Sequence, residues 1–108
     1  MDAKFYTYRV FWSEEDEEFV GLCAEFPGMS WLDQDPQATF AGILALVQEC
    51  IDDLAAHQEP IPSPLTQKQY SGRFMVRIPP EQHRELAIQA AEQGISLNRL
   101  ASRKLIAD

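Results

Sequence analysis

The segment that most constrains this chain is Ser71–Pro80, SGRFMVRIPP. Arg73, Met75 and Arg77 alternate with Phe74, Val76 and Ile78, the period of two that marks a strand with one buried and one exposed face. Pro79 and Pro80 end it. A strand this short cannot bury its apolar face alone, and the natural partner is the same strand of a second chain. A two-stranded ribbon that presents arginines is one of the few β structures that fits the major groove of DNA. The segment therefore points to a dimeric nucleic-acid-binding module.

Two helical patterns follow the ribbon. Residues 80–93 place Pro80 near a helix start and Leu86, Ala87, Ala90 and Ala91 on one stripe, with Gly94 as the C-terminal stop. Ser96 is placed to cap a second helix over 96–106, with Leu97, Leu100, Ala101 and Leu105 as its apolar positions.

The front of the chain follows a different pattern. Phe5–Ser13 alternates, with Tyr6, Tyr8, Val10 and Trp12 on one face and Phe5, Thr7, Arg9 and Phe11 on the other. Glu14, Glu15, Asp16, Glu17 and Glu18 interrupt it, and Phe19–Phe26 resumes it with Val20, Leu22, Ala24 and Phe26 on one side. This predicts a hairpin with an acidic tip. Pro27-Gly28 is a turn, and Met29–Leu32 a short third strand. Asp35 is placed as an N-cap with Pro36 at the first helical position. Phe40, Ile43, Leu44, Val47, Ile51 and Leu54 then recur at helical spacing and should cover the sheet. Residues 58–70, with Pro60, Pro62 and Pro64, read as a semi-stiff linker, carrying at most an edge strand around Ile61–Leu65. The expected fold is α+β, with a β-β-β-α domain over 1–57, a linker over 58–70 and a β-α-α dimerisation domain over 71–108.

Charge is divided along the same lines. The chain of 108 residues has a net charge of −8, which taken whole argues against a nucleic-acid partner. Yet residues 1–70 hold 3 Lys+Arg against 13 Asp+Glu, a balance of −10, and residues 71–108 hold 6 against 4, a balance of +2. An acidic front and a basic tail suggest different partners for each. No apolar run approaches the length of a membrane span and no signal-peptide pattern opens the chain, so a cytoplasmic protein is expected. Cys23 and Cys50 fit a reducing compartment and lack the spacing of a zinc site. No cofactor and no metal is expected.

Strand, helix, Gly-x-Ser turn, helix is the order of the ribbon-helix-helix family, which residues 71–108 resemble through Arg73–Ile78 and Gly94–Asn98. Over nearly its whole length the chain resembles HicB-type antitoxins. Tyr8–Ser13, Phe19–Pro27 and Ser30–Leu32 look like that family's N-terminal domain; Tyr70–Pro79 and Ser96–Arg99 look like its DNA-binding C-terminus. The resemblance implies a partial ribonuclease-H-like domain without nuclease activity that masks a small basic mRNA-cleaving toxin of the HicA type. It also implies a C-terminal domain that represses the operon by binding operator DNA. The alternative is a stand-alone ribbon-helix-helix regulator whose N-terminal domain oligomerises or senses a ligand.

On this reading Arg73, Met75 and Arg77 contact bases in the major groove. Met75 alternatively packs within an oligomer. Ser96, Leu97 and Asn98 lie at a helix N-terminus whose free amides suit a phosphate; capping by Ser96 alone is the simpler reading. Arg99, Arg103 and Lys104 are further phosphate candidates. Glu14, Glu15, Asp16 and Glu17 are candidates for attracting a basic toxin, although a loop of like charges is usually only solvated. Phe5, Phe11 and Trp31 are candidates for the toxin surface or for self-association. The ribbon implies a homodimer, and association through the N-terminal domains a tetramer. A nuclease would need a carboxylate constellation holding metal. Glu25, Asp33, Asp35, Asp52 and Asp53 are available, but Asp35 is taken by capping and Asp52 and Asp53 by a solvated helix face, so no catalytic residue is assigned. His57 and His83 have no metal-like neighbours.

Overall fold

A computed structural model describes residues 1–107. Two compact units divide the chain, Met1–Tyr70 and the part from Ser71 on. No described helix is long and apolar enough to cross a membrane.

In the first unit, β1 (Tyr8–Ser13), β2 (Glu18–Cys23) and β3 (Ser30–Asp33) form an antiparallel sheet in the order β1-β2-β3. The hairpin register runs from Tyr8 opposite Cys23 to Ser13 opposite Glu18, which leaves Glu14–Glu17 as the turn. The strand expected from Phe5 begins later. Asp2 accepts a hydrogen bond from the Lys4 N–H and caps a 3-10 turn at Ala3–Phe5, which takes Phe5 out of the sheet. The second strand likewise ends at Cys23, and Phe26 reaches the core from the following turn.

α1 (Pro36–Ala56) covers one sheet face. The Asp35 carboxylate accepts from the Ala38 N–H at 2.8 Å, and Pro36 opens the helix where a missing N–H costs nothing. The buried stripe is Thr39, Ile43, Val47 and Ile51, spaced by four residues. Ile43, Val47 and Ile51 pack with Ala3, Tyr6, Cys23 and Phe26 into the core, with Leu44 and Leu54 at its margin. Phe40, expected on this stripe, is instead 44% exposed, its ring nearly perpendicular to that of Tyr8 with centroids 5.6 Å apart. Thr39 takes the inward position because its methyl lies over Gly21 while its hydroxyl donates to the Asp35 and Asp33 carbonyls at 2.8 and 3.2 Å. A buried polar group thereby carries no desolvation debt.

Residues 58–70 do not run free of the first unit as a linker should. Pro64 is buried and Ile61 packs against the core. The Tyr6 hydroxyl donates to the Pro62 carbonyl at 2.6 Å, the Leu65 N–H donates to Glu25 at 2.8 Å, and the Thr66 hydroxyl donates to the Phe5 carbonyl. A 3-10 turn at Leu65–Gln67 occupies the region considered for a fourth strand. The segment is a strap across the first unit.

The second unit holds α2 (Pro80–Gln93) and α3 (Leu97–Ile106), packed on each other. Gly94 closes α2 in the left-handed region at φ 68°, where a side chain would be strained. The Ile95 N–H then reaches back to the Ala90 carbonyl at 3.0 Å, a pairing that ends many helices. Ser96 caps α3, accepting from the Arg99 N–H at 3.1 Å. Of the expected stripes, Ala90 and Leu100 are buried, Leu86, Leu97 and Ala101 half-buried, and Ala87, Ala91 and Leu105 exposed. The strand expected over 72–78 is absent as a ladder: Arg73–Pro79 runs without helix, turn, bend or bridge. A ladder needs a neighbouring strand to receive its N–H and C=O groups, and the described part of this unit contains only helices beside it.

Candidate nucleic-acid and partner interfaces

The segment from Arg73 to Pro79 takes its character from what it leaves uncovered. Phe74 is 74% and Met75 80% exposed, and Val76 and Ile78 are exposed as well. Gly72 at φ 82° sets the direction of entry, and the Ser71 hydroxyl accepts from the Arg73 N–H at 3.1 Å. Phe74, Val76 and Ile78 line an open groove of about 1120 Å³ against Leu86, Leu97 and Leu105. Apolar side chains thus reach the groove from the extended segment and from both helices.

Several candidate side chains come together there. Arg73, Arg77, Asn98 and Lys104 also contribute to the groove wall. Met75 does not, although alternation would set it on one side with Arg73 and Arg77. Ser96 is engaged as the α3 cap, and Leu97 turns its side chain to the groove, so at this helix start the backbone amides and the exposed Asn98 are what a phosphate would meet. Arg99, Arg103 and Lys104 are exposed.

The acidic turn and Trp31 are separated by the fold. Glu14, Glu15, Asp16 and Glu17 are exposed at the hairpin tip. Asp16 takes part in the turn itself, since its carboxylate accepts from the Ser13 hydroxyl at 3.0 Å, and Glu17 sits at φ 53°. Trp31 lies on the helix-covered face of β3, over Gly42 of α1, and is 40% exposed. Beside the tip stands Trp12 instead, edge-on to Phe19 with ring centroids 5.1 Å apart. Phe5 is exposed beside Lys4, and Phe11 is exposed on the sheet face away from α1.

The carboxylates available to a nuclease are dispersed over separate structural tasks. Asp35 caps α1, Asp33 accepts from the Asp35 N–H, Asp52 accepts from Gln48, and Asp53 lies 3.4 Å from His57. Among the described residues no group of three or more His, Cys, Asp or Glu side chains is arranged to hold a metal ion. Glu25 has a role that sequence patterning missed. It accepts from the Thr7 N–H and hydroxyl, each at 3.0 Å, and from the Leu65 N–H at 2.8 Å. Desolvation alone would raise its pKa, but the hydrogen bonds from Leu65 and Thr7 outweigh it and hold the carboxyl below its ordinary value. No local signal marks this residue, because its partners lie 18 and 40 positions away.

No curated protein and no solved structure matches the chain. Residues 57–105, just under half of the chain, match the model of the HicB family, and a HicB-family domain is therefore present across the strap, the extended Arg73–Pro79 segment and both helices of the second unit.

Proposed function

We propose that this chain is an antitoxin with two tasks. Its first unit, the β-β-β-α domain read as partially ribonuclease-H-like, binds a small basic mRNA-cleaving toxin of the HicA type and masks its active site. Its second unit pairs with that of another chain as a ribbon-helix-helix dimer and represses the operon by inserting Arg73, Met75 and Arg77 of both chains into the major groove of operator DNA. Association of first units would raise the dimer to a tetramer.

The observation that carries this reading is the bare apolar edge of Phe74, Val76 and Ile78 within a HicB-family domain. Burying each such side chain contributes roughly 1.5–3 kcal/mol, and pairing with an identical segment would both bury them and complete the missing ladder. That pairing turns the alternate residues, Arg73, Met75 and Arg77, outward together. Arginine suits guanine because its planar fork matches O6 and N7, at about 1–3 kcal/mol of discrimination for each good pair. The amides at the start of α3 suit the flanking phosphates and fix the register without reading sequence.

The test is Arg73→Ala combined with Arg77→Ala. Operator affinity should fall by roughly 30-fold or more, as two lost pairs of this size imply, while neutralisation of the toxin survives. A double variant that still discriminates operator from random DNA removes the ribbon assignment. A wild-type chain that binds operator yet leaves the toxin active is instead a stand-alone regulator. The reading includes no catalytic step, so the pure protein with magnesium should leave RNA intact.

A further inference from the structure

The sheet of the first unit has a second face that α1 does not cover. Tyr8 meets Phe40, Gly21 meets Ile43 and Thr39, and Trp31 lies over Gly42. These contacts fix Tyr8, Gly21 and Trp31 on the α1 side, so the alternate residues of each strand point the other way. The pairing register arranges them in three rows. At the hairpin end Ser13 stands beside Glu18. In the middle Phe11, Val20 and Leu32 form a continuous apolar row. At the far end come Arg9, Leu22 and Ser30.

An antiparallel sheet covered on one side normally presents polar residues on the other. Here the central row is entirely apolar, with Phe11 37% and Leu32 39% exposed on either side of the buried Val20. The sequence shows the same departure, because Val10-Phe11-Trp12 and Phe19-Val20-Gly21-Leu22-Cys23 place apolar residues on both alternating faces. Such runs are characteristic of strands covered on both faces.

We propose that this face packs against the same face of a second copy, with the strands of the two sheets antiparallel. Charge selects both the occupant and the direction. The face carries one acidic residue at the hairpin end, Glu18, and one cation at the other, Arg9, whose guanidinium lies 4.7 Å from the centre of the Phe11 ring. A two-fold axis along the apolar row stacks Phe11, Val20 and Leu32 on their counterparts across about 10 Å. It also brings the Arg9 end of each copy over the Glu18 end of the other. A two-fold axis along the strands would instead stack Glu18 on Glu18 and one acidic turn on the other, which like-charge repulsion disfavours. The face is thus self-complementary in one orientation, as a closed two-fold contact requires. Eight positions at strand spacing cover only about 260 Å² per copy, against about 800 Å² in a stable isolated interface. The contact is therefore weak alone and accumulates where the ribbon already joins chains.

The inference specifies the tetramer contact proposed above, and charge reversal in the full-length chain tests it. Arg9→Glu and Glu18→Arg, made singly, should each remove the largest species in a sedimentation concentration series. The double variant, which restores opposite charges in exchanged places, should recover it. Phe11→Asp should abolish it, while a circular-dichroism spectrum matching wild type shows that the sheet is intact. An unchanged species in Phe11→Asp overturns the proposal, as does a double variant that fails to recover. Capture of a basic protein by wild type but not by Phe11→Asp, with the chain's own mass unaffected, also overturns it and gives the face to that partner. Phe74→Lys separates this contact from the ribbon. If it alone lowers the mass, the ribbon reading stands and this proposal falls; if Phe11→Asp alone does so, the reverse holds.

Discussion

Two glycines set the distance between α1 and the sheet. A Cβ on Gly21 would meet Ile43 Cγ2 and Thr39 Cγ2 at 3.1 Å, so the bare backbone of β2 is what lets the helix approach. A Cβ on Gly42 would fall 2.1 Å from Trp31 Nε1, inside the indole itself. A glycine in mid-helix costs about 1 kcal/mol relative to alanine, so Gly42 needs a packing reason, and Trp31 supplies it. Gly42→Ala should expel the indole, shift tryptophan emission to longer wavelength and lower stability by about 1–3 kcal/mol through overpacking, despite the better helix propensity. A variant that melts higher with unchanged emission would show that Trp31 does not rest on the helix. Asp35, Gly94 and Ser96 were legible as caps because capping is local chemistry. Thr39 holds the inward place expected of Phe40 because apolar spacing cannot register a threonine that satisfies its hydroxyl within the preceding turn.

Among the elements, the strap depends most on a single side chain. Leu65 and both polar groups of Thr7 converge on Glu25, so one carboxylate links the turn after β2 to the entry of β1 and to the strap. Because the folded-state pKa lies below the ordinary glutamate value of about 4.3, the charged form favours the folded state. Its contribution is complete above that value and is lost as pH falls through the lower folded pKa. Glu25→Gln should therefore lower the melting temperature near neutral pH, expose residues 60–67 to protease, and lessen the dependence of stability on pH below about 4. An unaltered acid limb would show that Glu25 does not hold the strap. This strap was illegible in the sequence because three prolines in five residues have the composition of a linker, and what fastens them is remote: the Tyr6 bond to Pro62 spans 56 positions. The β-β-β-α order and the two terminal helices were legible because strand alternation and helical stripes are properties of neighbouring residues. The segment Arg73–Ile78 is legible only as alternation, and among the described residues it runs extended without a ladder.

At the scale of the whole molecule charge is divided between the two units, −10 over residues 1–70 and +2 over 71–108. Residues 1–70 hold 13 of the 17 Asp and Glu, and the hairpin turn concentrates four exposed carboxylates in consecutive positions. DNA is repelled by such a surface and a basic protein attracted to it, within a screening length of about 8 Å at physiological salt. Converting Glu14, Glu15, Asp16 and Glu17 to Asn or Gln removes four negative charges and takes the chain from −8 to −4. Two measurements should then move in opposite directions. Association with a basic toxin should slow, most visibly at low ionic strength, because steering is the part of recognition that exposed charge controls. Non-specific DNA binding should strengthen, with little change in preference for the operator over random sequence, since the turn reads no bases. If the toxin's association rate and its salt dependence are those of wild type, the turn is a solvated loop, and the surface that recognises the partner must be sought on the strands. Trp12 and Phe19 are the first to examine there, because they stand edge to edge where the strands enter the turn.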